Sequence, residues 1–333
     1  MSELFSAFVV DQPTSESDEA IIGRWRDFSL NDLDEGNVVI RVAYSALNYK
    51  DALASQGNSG VARKFPIVPG IDATGTVIES SSSQVSVGEQ VLVAHAHFGT
   101  AHCGGFSEMV RVPDSFVYRL PSGMSAEEAI GWGTAGFTAA QSVAAVLDHG
   151  VTADQGPVVV TGATGGVGIF AIKILSLCGF EVIASTGKMD QSEWLRSLGA
   201  SSVVDRNAMN DDSNRPLLKG EFAAAVDAVG GNTLATLLRR VQPHGCVTAC
   251  GLVGGHELHT TVYPFILRGV ALYGIDSANI DRQTRHSIWA RIASEWRFDS
   301  ISSITQKIKP DQLVEALQRI SAGKVAGRVV VEF

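Results

Sequence analysis

Residues 158–180 read VVVTGATGGVGIFAIKILSLCGF. A short apolar run meets a glycine cluster, and apolar residues then recur at helical spacing through 169–178. That order is strand, glycine turn, helix. The cluster reads A-x-G-x-x-G over Ala163, Gly165 and Gly168, with alanine where the dinucleotide fingerprint has its first glycine. Such a turn lets a pyrophosphate approach the backbone and meet a helix N-terminus, whose N–H groups and dipole favour negative charge. Thr164, Gly165, Gly166, Val167, Gly168 and Ile169 are therefore candidate cofactor contacts. An ordinary tight turn is the alternative, and the correctly placed strand and helix speak for the nucleotide site. More than a hundred residues precede the turn and must supply the rest of an active site.

A chain of 333 residues suggests two domains, and a hydrophobic fraction of 45% provides a substantial core. The net charge of −9 argues against broad nucleic-acid or membrane binding, so anionic ligands need local cations. No stretch has the length of a membrane span. The opening MSELFSAFVVDQPTSESDEA lacks a basic region and a long apolar core, so no signal peptide is expected. Cys103, Cys178, Cys246 and Cys250 form no CxxC, and reduced thiols in a cytoplasmic protein are the natural reading. Cys178 is expected as a small buried hydrophobe on its helix.

The first 120 or so residues are β-rich and turn-rich. Strands are expected at 4–11 and 37–46, within 66–79, at VSVGEQVLVAHA and in 104–112. The character changes after Pro121. Ser125 and Glu128 have capping-box spacing ahead of an Ala-rich helical stretch. Strands then alternate with helices through GCVTACG, which predicts a parallel sheet with helices on both faces. VALYGIDS at 270–277 adds a last strand, also suited to pairing across a two-fold, and a homodimer is expected. The tail holds two helices and a final strand, GRVVVEF. The polar run 207–216 is expected as a surface loop.

Cofactor choice is read at the end of the second strand, where an NAD enzyme usually carries Asp or Glu. Here EVIAST ends in Thr186, followed by Gly187 and Lys188. A hydroxyl and an ammonium suit a 2′-phosphate, and Arg206 after SVVD can add a second cation. NADPH is the expected cofactor. A solvated surface lysine is the alternative for Lys188.

The blocks LNYKDALA (47–54), FPIVPGIDATGTV (65–77), GTAGFTA (133–139), TGATGGVG (161–168), ACGLVGG (249–255) and PFILRGVALYGIDS (264–277) span nearly the whole chain. Together they resemble the medium-chain dehydrogenase/reductase superfamily, in its zinc-free quinone oxidoreductase branch and the acrylyl-CoA reductase (YhdH/YhfP-type) family. The resemblance implies an α/β protein: a Rossmann-type doubly wound parallel sheet plus a β-rich GroES-like barrel domain. The substrate domain is then 1–124, completed by 278–333, and the NADPH domain 125–277, with the site between them.

Zinc enzymes of that superfamily place a cysteine near Asn48–Tyr49 and a His-Glu pair after the Pro-Gly. Here Pro69–Gly70 is followed by Ile71 and Asp72. The spacing of His95, His97, His102 and Cys103 fits no zinc motif, so no metal is expected. A carbonyl is then poorly served, and an activated C=C fits better.

By the same resemblance Tyr49 faces the nicotinamide and substrate. Its O–H can donate to developing enolate charge or relay a proton; a packed barrel tyrosine is the alternative. Asn48 is read as orienting substrate, and Asp51 as a further catalytic candidate or a local ion pair. Thr134 faces the nicotinamide amide or caps a helix. Leu252 and Ile266 pack along the cofactor, Ser277 lies near its nicotinamide end, and Arg328 closes the site. Arg63 and Lys64 are the nearest candidates for gripping a CoA phosphate; a solvated turn is the alternative.

The implied activity is NADPH-dependent reduction of acrylyl-CoA to propionyl-CoA. Alternatives are a quinone or enal/enone reductase on the same scaffold, or a non-catalytic NADPH-binding protein.

Overall fold

The computed structural model describes residues 4–13, 20–213, 215–299 and 301–333. They divide into two compact units, 1–134 with 297–333 and 135–296.

The first unit opens with the β-rich segment. β1 (Phe5–Val9) and β2 (Arg24–Phe28) form an antiparallel pair. β3 (Val38–Ala46) leads into α1 (Tyr49–Ser55), then β4 (Ala73–Ser80), β5 (Gln90–Val93), β6 (Met109–Val112) and β7 (Val117–Arg119). These strands alternate buried and exposed residues only in part. β3 packs most of its side chains inward because two cores flank its sheet, one around Phe8, Leu47 and Phe106 and the other around Ile40, Val91 and Phe98.

α2 (Ala126–Asp148) carries the chain out of this unit. Ser125 starts it as the cap spacing predicts, its Oγ accepting from Glu128 N at 3.1 Å. The Glu128 carboxylate turns instead to Arg297, 2.8 Å away. The helix breaks at Gly133, whose φ of 47° lies in the left-handed region.

The second unit is a parallel α/β sheet. Its elements are β8 (Val158–Val160), α3 (Gly166–Leu177), β9 (Val182–Thr186), α4 (Ser192–Ser197), β10 (Ser202–Asp205), β11 (Phe222–Asp227), α5 (Gly231–Arg240), β12 (Val241–Ala249), α6 (Tyr263–Arg268), β13 (Ala271–Gly274) and α7 (Arg282–Ala293). The strand order is β10-β9-β8-β11-β12-β13, all parallel. β8 and β11 are central and wholly buried, which explains why they read as continuous apolar runs. Cys178 caps the C-terminal end of α3 and is only half-buried, so it is less enclosed than expected.

The chain then returns to the first unit with α8 (Ile301–Ile304), β14 (Thr305–Ile308), α9 (Leu313–Ser321) and β15 (Arg328–Glu332). Its larger sheet runs β14-β15-β3-β4-β5-β7, with β6 also on β3.

The division falls at 134/135 and 296/297, later than 124/125 and 277/278. The reason is aromatic packing. Trp132, in the first turns of α2, packs on Phe298 at 5.4 Å, which holds those turns in the first unit. α7 belongs to the second, with Trp289 6.0 Å from Phe137 and Arg285 4.8 Å over the same ring. The run at 207–216 starts with a short 3-10 turn (Arg206–Met209), and Asp211 is tied to Arg239 at 3.1 Å; Asn214 lies outside the described residues.

Candidate functional site

In the second unit, β8 ends at a turn whose left-handed residue is Gly162, with φ 59°. That position, one residue before Ala163, supplies the conformational freedom the fingerprint assigns to its first glycine. Ala163 is buried and donates its N–H to Ser185 O at 3.1 Å. Gly165 is the N-cap of α3, so Gly166, Val167, Gly168 and Ile169 form the first helical turn. A Cβ on Gly168 would lie 2.5 Å from Gly162 O and 2.7 Å from Ala163 Cα, so helix and turn meet backbone to backbone. The turn is braced from below: Thr161 Oγ1 donates to Asp227 Oδ1 at 2.6 Å, and Asp227 Oδ2 accepts from Gly230 N at 2.7 Å. Burial raises the Asp227 pKa against the pull of these donors.

Thr164 and Thr186 bring their hydroxyls within 3.4 Å, and Thr186 Oγ1 also accepts from Lys188 N at 3.0 Å. Burial lowers the Lys188 pKa. The Arg206 guanidinium lies over Gly187, where a Cβ would be 2.7 Å from its Cζ. Thr186, Gly187, Lys188 and Arg206 thus gather at the end of β9, with two cations and no carboxylate in the Thr186–Lys188 turn. Such a donor set fits a 2′-phosphate, and the close-approach glycines above fit a pyrophosphate. Ser277 accepts from Thr138 Oγ1 at 2.8 Å. Leu252, just beyond β12, and Ile266, on α6, are 60% and 68% exposed.

The first unit holds a buried polar cluster. Asn48 is the N-cap of α1, and Asp51 Oδ2 accepts its N–H at 2.8 Å. Asp51 Oδ1 accepts from Ile71 N at 2.9 Å, tying the helix to the segment before β4. Asn48 Nδ2 donates to Asp72 Oδ2 at 2.8 Å and reaches Asp51 Oδ2 at 3.3 Å. Arg328, 3% exposed, donates through Nη1 to Leu47 O at 3.0 Å and Asn48 Oδ1 at 3.2 Å, and through Nε to Gly131 O at 3.2 Å. Its Nη2 stands 3.8 Å from Asp72 Oδ2. The carboxyl of Asp51 is pushed up to about 7, first by burial and then by the neighbouring Asp72 charge.

Asn48, Asp51 and Arg328 therefore direct their polar atoms to one another, to Asp72 and to main chain. Tyr49, the next residue, occupies the first position of α1 and is 40% exposed. The cluster anchors the start of the helix that presents it. Sequence reasoning passed over Asp72 as a functional residue. The one signal was an acid directly after the apolar PIVPGI run, where a strand interior was expected.

Arg63 and Lys64 differ in availability. Lys64 is ion-paired with Asp34, whereas the Arg63 side chain is exposed. Asp34 is held below its ordinary range despite burial, by Lys64, Cys103 N and His102.

The residues do not fit a zinc ion. His95 is stacked on Phe116 at 3.8 Å, and the ring nitrogens of His102 lie at Cys103 O and Glu35 O. Burial pushes the Cys103 thiol up to about 11, away from the thiolate a zinc ligand needs. Among the described residues no group of three or more His, Cys, Asp or Glu could hold a metal.

Residues 34–122 match the alcohol dehydrogenase GroES-like domain, and residues 166–294 match the zinc-binding dehydrogenase domain. The chain is 42% identical to the acrylyl-CoA reductase AcuI of Ruegeria pomeroyi, covering 99% of both chains. The chain belongs to the medium-chain dehydrogenase/reductase superfamily, in its acrylyl-CoA reductase (YhdH/YhfP-type) family. Two solved members of this family superpose closely. YhdH of Escherichia coli K-12, with bound NADPH, is 38% identical, with a TM-score of 0.93 over 98% of this chain and 99% of that one. Bacillus subtilis yhfP, with NAD bound, is 39% identical, with a TM-score of 0.94 over the full length of both. Within the family's two-domain plan, this chain carries the glycine turn in the second unit and the Asn48–Asp51–Asp72–Arg328 cluster in the first.

Proposed function

We propose that this chain reduces the C=C bond of an α,β-unsaturated acyl-CoA with NADPH, with acrylyl-CoA as substrate and propionyl-CoA as product. The observation that carries the reading is the presentation of Tyr49. Its phenol is exposed at the start of a helix whose cap is locked into a buried polar network, in a chain 42% identical to an acrylyl-CoA reductase.

The first turn of α3 receives the pyrophosphate, and Thr186, Lys188 and Arg206 receive the 2′-phosphate. Leu252 and Ile266 cover the cofactor, Ser277 lies toward its nicotinamide end, and Thr134 meets the nicotinamide amide. The chemistry this cofactor supplies is hydride donation to the β-carbon of an activated alkene. The thioester oxygen then gains enolate charge. The Tyr49 O–H donates to that oxygen and helps deliver the proton to the α-carbon. Arg63 is the better candidate for a CoA phosphate, because Lys64 is engaged by Asp34.

Steady-state NADPH oxidation with acrylyl-CoA, longer enoyl-CoA thioesters, quinones and free enones tests this. A kcat/KM highest for acrylyl-CoA is expected. A higher value for quinones or enones assigns the enzyme to those electrophiles, and tight NADPH binding without turnover on any of them marks a binding protein.

We also propose a homodimer paired through β13. That strand is an edge of its sheet, and Val262, Tyr263, Leu267 and Tyr273 around it are exposed. Such an edge is a template for pairing with a second copy. Sedimentation at micromolar concentration should give a dimer, and Tyr273→Pro should give a monomer.

A further inference from the structure

Asp72 is 1% exposed, and each polar contact its carboxylate makes here is to a donor. Thr134 N lies 3.0 Å from Oδ1 and 2.9 Å from Oδ2, and Thr134 Oγ1 lies 2.6 Å from Oδ1. Asn48 Nδ2 and Arg328 Nη2 approach Oδ2 from other sides. The carboxylate also touches the break in α2. A Cβ on Gly133 would fall 2.7 Å from Asp72 Oδ2 and 2.9 Å from Arg328 Nη2, so only glycine allows the pair to sit against the broken turn.

A threonine hydroxyl has one proton. At 2.6 Å from a carboxylate oxygen that proton is committed to Asp72. Toward any other group Thr134 Oγ1 can then only accept.

We infer that Asp72 is a positioning residue that fixes the polarity of the Thr134 hydroxyl, so that Thr134 selects a ligand group bearing N–H. The inference rests on the nicotinamide reading above, in which that group is the carboxamide of the cofactor. A carboxamide offers N–H donors, whereas a methyl ketone in the same place offers only an acceptor.

Isosteric Asp72→Asn tests the assignment without changing shape. Thr134 N lies against both oxygens, but the Oδ2 side also faces the donors Asn48 Nδ2 and Arg328 Nη2, whereas the Oδ1 side faces a hydroxyl that can accept. The amide oxygen therefore takes the Oδ2 side and accepts from Thr134 N, and the NH2 takes the Oδ1 side, donates to Thr134 Oγ1 and releases the hydroxyl proton. The acceptor becomes a donor, and the preference for N–H disappears.

The experiment is fluorescence titration of the apo chain with NADPH and with its 3-acetylpyridine analogue, whose ketone replaces the carboxamide. Wild type should bind NADPH about 5- to 30-fold more tightly than the analogue, the range expected when one N–H hydrogen bond to a carboxylate-held hydroxyl is lost. Thr134→Ser keeps the hydroxyl and should keep that ratio. Asp72→Asn and Thr134→Val should bring it within about twofold of unity. NADPH binding with the wild-type ratio retained in Asp72→Asn overturns this inference alone. If Asp72→Asn does not fold, equal ratios in Thr134→Val and Thr134→Ser overturn it. Absence of NADPH binding by wild type overturns the nicotinamide reading and this inference together.

Discussion

Asp51 accepts the backbone N–H of Asn48 at 2.8 Å while wholly buried, so the cap of α1 rests on a carboxyl closed off from bulk solvent. Burial, then Asp72, pushes its pKa up to about 7 from the ordinary 3.8. Between those values the folded chain holds a proton that the unfolded chain has lost. Stability from this group is full below 3.8 and is lost as pH rises through about 7. Asp51→Asn is neutral throughout. The Tm of wild type relative to Asp51→Asn should therefore fall steadily between about pH 4 and pH 8. Thermal melts across that range check it, and a difference flat in pH rules out a perturbed Asp51.

The glycine turn separates folding from binding. Gly168 has no room, since its Cβ would meet Gly162 O and Ala163 Cα at 2.5 and 2.7 Å. Gly168→Ala should cost about 1–3 kcal/mol through forced backbone movement and lower Tm. At Gly165 the nearest atom to an added Cβ is Gly162 O at 3.2 Å. Gly165→Val should fold with a smaller loss and abolish binding of NADPH and NADH alike. Calorimetric titration that finds unchanged NADPH affinity in Gly165→Val places the pyrophosphate elsewhere.

Local signals are legible in the sequence where local physics decides. The 158–168 stretch announces strand and turn because a central parallel strand is apolar on both faces and the helix after it needs close approach. Ser125 and Glu128 mark a helix start because the cap bond spans three residues. Thr186 and Lys188 are visible as an absent acid. What stayed hidden depends on distant partners. AEEAIGWGTAGFTAA reads as one helix, and its break at Gly133 becomes necessary only when Asp72, just before β4, and Arg328, at the start of β15, arrive beside it. Asn48 reads as a group orienting substrate and Asp51 as a catalytic candidate or a local ion pair, because nothing near them in sequence reveals that Ile71, Asp72 and Arg328 enclose them. The left-handed glycine of the turn is Gly162, displaced from the fingerprint position by Ala163.

Cofactor preference follows from the end of β9. If Lys188 reads the 2′-phosphate as proposed, Lys188→Ala removes a charge-assisted contact worth about 1.5–3 kcal/mol. NADPH should bind roughly 10- to 150-fold more weakly, and NADH should be nearly unchanged. Gly187→Ala should act in the same direction, since its Cβ would push the Arg206 guanidinium aside. Equal losses for both cofactors in titrations of either variant mean that these residues support the turn and do not read the phosphate.

Tyr49 carries the chemical prediction. The residue before it is fixed by Asp51, Asp72 and Arg328, so the phenol starts from a rigid base, and its own 40% exposure leaves it open to a ligand. A phenol that stabilises or protonates an enolate acts in the transition state more than in the ground state. Tyr49→Phe should then lower kcat and kcat/KM together while NADPH affinity is kept. General acid help is typically worth about 10²–10⁴-fold, and a loss in that range on acrylyl-CoA marks direct chemistry. A loss of only a few-fold means that the ring positions substrate and the proton comes through water. Tyr49→Ala should add a weaker nicotinamide contact, seen as a raised Kd for NADPH that Tyr49→Phe does not show. Wild-type rates in Tyr49→Phe on the best enoyl-CoA leave the hydroxyl without a catalytic task, and solvent or another group must then protonate the α-carbon.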